Sequence, residues 1–162
     1  MAKTYTPIAT NKLTSPTATV TFSSIPSIYT DLVIVVNANA GSSTQLRLRF
    51  NSDTGSNYST TMVGADGTDA FTVRVSNEAS MNSAGLGTRS GVNILNVMNY
   101  ANTTTYKTVI GRWNMDSTSY GETGVKIGTW RSTAAITSIV LFPTSGNFTT
   151  DSTLTLYGIL KA

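Results

Sequence analysis

The sequence predicts an all-β fold: one antiparallel β-sandwich, jelly-roll-like, of about ten strands with almost no helix. Three observations carry that expectation. Apolar and polar residues alternate at period two along most of the chain, as strands with one buried face require, and no longer window keeps a helical period. Clusters of turn-forming residues punctuate the alternating runs. Charged residues make up only 12% of the chain, where roughly 25% is usual, and Thr, Ser and Asn take their place. Thr suits a pleated surface while Asn, Ser and Gly supply turns, so low charge here indicates a hydroxyl-rich β protein and not disorder.

The elements follow in chain order. In T-A-T-V-T-F, Val20 and Phe22 alternate with threonines. Asp31 opens D-L-V-I-V-V-N-A-N-A, a continuous apolar run that fits a strand covered on both faces. Q-L-R-L-R-F sets Leu46, Leu48 and Phe50 on one face and Gln45, Arg47 and Arg49 on the other. F-T-V-R-V puts Phe71, Val73 and Val75 inward and Arg74 outward. Further strands are read from Val92 (V-N-I-L-N-V-M), Tyr106 (Y-K-T-V-I-G-R-W), Gly124 (G-V-K-I-G-T-W), Ile136 (I-T-S-I-V-L-F) and Ser152 (S-T-L-T-L-Y-G-I). Turn clusters fall at 51–57, 64–69, 77–90, 114–121 and 143–147, and the segment 76–90 reads as the loosest connection. With no repeat and no linker, the 162 residues make a single domain, 1–162, in which 1–13 is an extended N-terminal arm.

Composition removes several chemistries. Without Cys there is neither a disulfide nor a thiolate metal site, and without His a Ser-His-Asp or Cys-His mechanism is excluded. The net charge of +3 is spread thinly. Arg47 and Arg49, with Arg112 and Arg131, are the nearest approach to a cluster, so no nucleic-acid partner is expected. No apolar run reaches the ~18 residues of a membrane span, and M-A-K-T-Y-T-P lacks the apolar stretch of a signal peptide. The expectation is a chain made in the cytoplasm, with no membrane partner and no cofactor.

Residues 53–56, D-T-G-S, spell the catalytic tetrapeptide of aspartic proteases. In a homodimeric protease of the retroviral type Asp53 would be one of two carboxylates sharing a proton. V-I-G-R-W at 109–113 resembles the segment that supports such a loop. Polar Asn51 and Ser52 interrupt the apolar strand that should precede the motif, and M-V-G-A-D-G-T is a meagre flap. A turn closed by Asp53 is sufficient for N-S-D-T-G-S-N. Asp53, Asp66 and Asp69 lack the spacing of a calcium loop. Asp116 and Glu122 form a candidate glycosidase pair across a turn. Trp113 and Trp130 each end a strand, as core, as an interface anchor or as a platform for a sugar ring. The N-x-[ST] triplets at Asn57, Asn102 and Asn147 matter only in a secreted chain.

Several longer stretches occur together: I-A-T-N-K-L-T-S (8–15), V-T-F-S-S-I-P-S-I-Y-T-D-L-V (20–33), L-R-F-N-S-D-T-G-S-N-Y-S (48–59), N-Y-A-N-T-T-T-Y-K-T (99–108), W-R-S-T-A-A-I-T-S-I (130–139), S-G-N-F (145–148) and S-T-L-T-L-Y-G-I (152–159). Together they resemble a family of small virion structural proteins of tailed bacteriophages, over about residues 7–160, though the 64–90 region is shorter and more irregular than in many relatives. The resemblance implies a non-enzymatic protein whose D-T-G belongs to a strand-connecting loop. It implies a capsid decoration, or cement, protein on the outer head surface of the virion, binding the phage major capsid protein as a homotrimer. A tail-tip, fibre or baseplate module binding host-surface glycan is the alternative. Expected contacts are Tyr5, Ile8 and Leu13 in the arm, Met81, Leu86 and Arg89 in the 76–90 loop, and the two tryptophans Trp113 and Trp130.

Overall fold

Leu46, Leu48 and Phe50 alternate with Arg47 and Arg49, and burial follows that alternation: the three apolar side chains are fully enclosed and the arginines are not. The same logic builds the whole fold. A computed structural model describes residues 4–117 and 121–160. Among them are twelve strands and no helix: β1 (Tyr5–Lys12), β2 (Val20–Phe22), β3 (Asp31–Ala38), β4 (Thr44–Phe50), β5 (Tyr58–Ala65), β6 (Ala70–Glu78), β7 (Met81–Leu86), β8 (Gly91–Met98), β9 (Lys107–Asp116), β10 (Gly121–Trp130), β11 (Ile139–Pro143) and β12 (Thr153–Ile159).

They form two antiparallel sheets packed as a sandwich. The larger runs β1-β12-β3-β8-β9-β10-β5-β6, the smaller β2-β11-β4-β7. The β-sandwich expectation therefore holds as two packed antiparallel sheets, divided unevenly into eight strands and four. The chain crosses repeatedly from one sheet to the other, so most loops are corners between layers. Leu32, Ile34, Val36, Leu95, Val97, Leu154 and Leu156 from the large sheet meet Val20, Phe22, Leu46, Leu48, Phe50, Ile139 and Leu141 from the small one. At ~25 cal/mol per Å² of apolar surface removed from water, this layer is the main source of stability.

Three expectations need correction. β3 is central in the large sheet but not covered on both faces: Val35 is half-buried and Asn37 exposed on its outer side. The arm 1–13 is no free extension, because β1 pairs along its length with β12, and Ile8 and Leu13 pack against the core. Residues 76–90 are no loose loop either. They hold the end of β6 and all of β7, M-N-S-A-G-L, every residue of which is buried between β4 and the large sheet. Small side chains are needed there. A Cβ on Gly85 would crowd Trp113 and Met115, and one on Gly87 would collide with the backbone carbonyl of Asp116.

Candidate functional site

The D-T-G-S stretch lies in the corner where the chain leaves β4 in the small sheet for β5 in the large one. Its backbone visits the left-handed region at Asn51 (φ 51°) and Ser52 (φ 56°), conformations that Asn tolerates better than most residues. Asp53 then organises the turn. Gly55 N–H donates to its Oδ1 at 2.8 Å, Asn57 Nδ2 to its Oδ2 at 2.9 Å and Trp130 Nε1 to its Oδ2 at 2.7 Å. Burial pushes the Asp53 carboxyl up, but the bonds from Trp130, Asn57 and Gly55 outweigh it and hold the group below its ordinary 3.8.

A second corner, 131–138, returns from β10 to β11 and is bolted to the first. Asn51 Oδ1 accepts from Thr137 N–H at 2.9 Å and Ser138 N–H at 3.2 Å, while its Nδ2 donates to the Ala135 carbonyl at 2.8 Å. Arg131 donates to the Ser56 carbonyl and to Asn77 Oδ1. Beneath them Tyr58 stacks on Trp130 with ring centroids 6.4 Å apart, and its hydroxyl accepts from Phe50 N–H at 3.0 Å. Burial raises the Tyr58 phenol to about 12. R-F-N-S-D-T-G-S-N-Y-S and W-R-S-T-A-A-I-T-S-I are thus two halves of one lock between the sheets.

The opposite end of the sandwich holds a cleft of about 380 Å³, between Thr44, Gln45 and Gly85 of the small sheet and Phe71, Trp113, Glu122 and Lys126 of the large one. Lys126 points inward, is only 4% exposed, and donates to Asn82 Oδ1 at 2.8 Å. Its ammonium also sits 4.8 Å from the Trp113 ring centroid. Burial drives its pKa down to about 8, offset in part by Glu122. Burial likewise pushes Glu122 up. Trp113 Nε1 is buried with no hydrogen-bond partner.

A third surface is broader. On the outer face of the large sheet Val63 opposes Val125, Ile110 opposes Ile127, and Ile94 opposes Val35. Val63, Val92, Met98, Val125 and Ile127 are each at least two-fifths exposed. Arg112 stands among them, and none of the three ion pairs among the described residues involves it.

The expected contact residues scatter. Met81, Leu86, Trp113 and Trp130 are all core, each no more than 3% exposed, so none offers a surface to a partner. Tyr5 is open, at 57%. Arg89 is exposed and paired with Asp116 at 3.2 Å, so that aspartate already has a cationic partner. Asp66 spends Oδ1 on its own turn, accepting from Thr68 and Asp69 N–H, and no group of three ligating residues able to hold a metal occurs among the described residues. Among the described residues no helix is long and apolar enough to cross a membrane. Sequence reasoning missed Lys126 and Asn82. Compared with known proteins, the chain matches no family model and no curated sequence.

Proposed function

We propose that the protein is a non-enzymatic virion structural protein of a tailed bacteriophage, a capsid decoration protein that lies on the outer head surface and bridges adjacent major capsid subunits in many copies. The sequence resemblance supplies the class. The observation that carries the mode of action is the outer face of the large sheet, where valine and isoleucine side chains pair across neighbouring strands, Val63 with Val125, Ile110 with Ile127 and Ile94 with Val35, in short apolar patches set around Arg112 and Asn96. Function then resides in buried area. The carboxylate of Asp53 is occupied within its own corner, in keeping with a structural role for D-T-G.

Gold-labelled antibody against the protein, applied to intact virions, is the direct test. Even labelling of heads is expected; label confined to the tail overturns decoration, and unlabelled particles overturn the virion reading. On undecorated heads Ile127→Asp should weaken binding about tenfold or more without changing the fold, as loss of a central apolar contact does. The tail-module reading has one observation of its own, the cleft beside Lys126 and Glu122. A reproducible hit on a glycan array, lost in Lys126→Met, would favour it.

A further inference from the structure

The two sheets have four edges, and three are guarded. β1 carries Pro7, a bulge between Pro7 and Ala9, and Lys12, each of which discourages an incoming strand. β2 is three residues long. β7 is entirely buried. Between Ala70 and Ser76, β6 has none of these devices. It is nine residues long, contains neither Pro nor Lys, and pairs on one side only, with β5. Its ladder is regular from Ala70 to Ser76, with a bulge only beyond, where Asn77 turns to a φ of 60°.

The strand also overhangs. The small sheet ends at β7, which lies over β9, β10 and β5, so the inner face of β6 is only thinly covered between Phe71 and Glu78, the latter held by Arg47 of β4 at 3.2 Å. Val73, an inward-facing residue by alternation, is 39% exposed, and Val75 is half-buried.

We propose that β6 is a self-pairing edge: two copies of this chain join β6 to β6 antiparallel about a two-fold axis, making one continuous sheet. Such an axis, normal to the sheet, keeps the faces matched only when it passes through a residue, and the sequence selects which one. Centred on Val73, the pairing sets Val73 against Val73, Phe71 against Val75, Arg74 against Thr72 and Ser76 against Ala70. Every inward apolar side chain then meets an apolar one, and the two arginines avoid each other. Centred one residue later, it would oppose Arg74 to Arg74; two later, Val73 would face Asn77 and Thr72 would face Glu78. The second copy thus supplies what the overhang lacks, unpaired backbone partners and a cover for Val73. The contact is isologous and closes at two. It gives a dimer where the resemblance implies a trimer, and it does not depend on where in a virion the protein acts.

The absence of cysteine makes the test clean. Sedimentation equilibrium of the full chain at high micromolar concentration should give about twice 17.2 kDa, and Val73→Lys should return the monomer with an unchanged circular dichroism spectrum. Directly opposed residues place Cβ atoms roughly 4.5–5.5 Å apart, near enough for a disulfide to form with slight adjustment. Mild oxidation should therefore link Val73→Cys into a dimer and leave Val75→Cys unlinked. A monomeric or trimeric wild type overturns the proposal, as does a dimer in which Val73→Cys fails to cross-link or Val75→Cys cross-links instead.

Discussion

The two ends of the sandwich bury polar groups in opposite ways. At the 51–57 and 131–138 corners each buried donor meets an acceptor: the Trp130 indole meets Asp53, and the Asn51 amide meets three backbone groups of the facing corner. At the far end Lys126 is buried against one neutral amide and a ring face, and the Trp113 indole donates to nothing. Both regions are rich in tryptophan and charge, so composition does not distinguish them. What differs is whether desolvation is repaid by hydrogen bonds, the condition that turns a buried polar group from a cost into a lock.

Substitutions can break that contrast. The largest effect is expected at Asp53, because Asp53→Ala orphans the indole of Trp130 and the amide of Asn57 together. A loss of about 3 kcal/mol in urea unfolding is expected, with Asp53→Asn milder because one acceptor survives. A loss below 1 kcal/mol would mean that the corner is held by its ring stacking instead.

Next comes pH. The Lys126 pKa is lowered to about 8 in the fold against 10.5 when unfolded, so between those values the unfolded chain holds more protons and stability rises as pH rises. The gain from pH 7 to 9.5 should be about 2 kcal/mol. Tyr58 acts the other way only above pH 10, since its phenol is raised to about 12. A melting temperature that falls steadily over that range would show that Lys126 is not desolvated.

The smallest effect sharpens the comparison from the other side. Lys126→Met removes the buried charge but leaves Asn82 Oδ1 without its donor, so the net should be a stabilisation of about 1 kcal/mol at pH 7. It should also abolish most of the alkaline rise. A destabilised variant would mean that the ammonium is better solvated inside the cleft than its burial implies.

Much of the fold was legible in the pattern, and the failures share one cause. Q-L-R-L-R-F and S-T-L-T-L-Y-G-I lie where one face is buried and the other open, so their alternation translates directly. G-V-K-I-G-T-W alternates as cleanly with the opposite meaning: Val125 and Ile127 face outward, while Gly124, Lys126 and Gly128 face the core. Neighbouring strands supply the missing volume, with Trp113 over Gly124 and Met81 over Gly128. Alternation gives the period but not which phase is inside, and no local signal marks a lysine as buried. M-N-S-A-G-L went unread because a strand squeezed between a sheet and large aromatics needs small residues, which resemble a loop. The corners were visible as turn chemistry. Their mutual bolting joins positions as much as 87 residues apart, and no local pattern encodes it.

The place of the last strand has a kinetic consequence. β12 lies between β1 and β3, so the N-terminal strand has no partner in the sheet until residues near 159 have been made. A chain emerging from the ribosome would hold β1 unpaired while the ten strands from β2 to β11 appear, and one side of β3 unpaired until β12 follows. Non-local pairing of this kind folds slowly and leaves sticky edges waiting. Nascent chains stalled before β12 should stay protease-sensitive throughout β1, and the whole large sheet should gain protection in one step once β12 has cleared the exit tunnel.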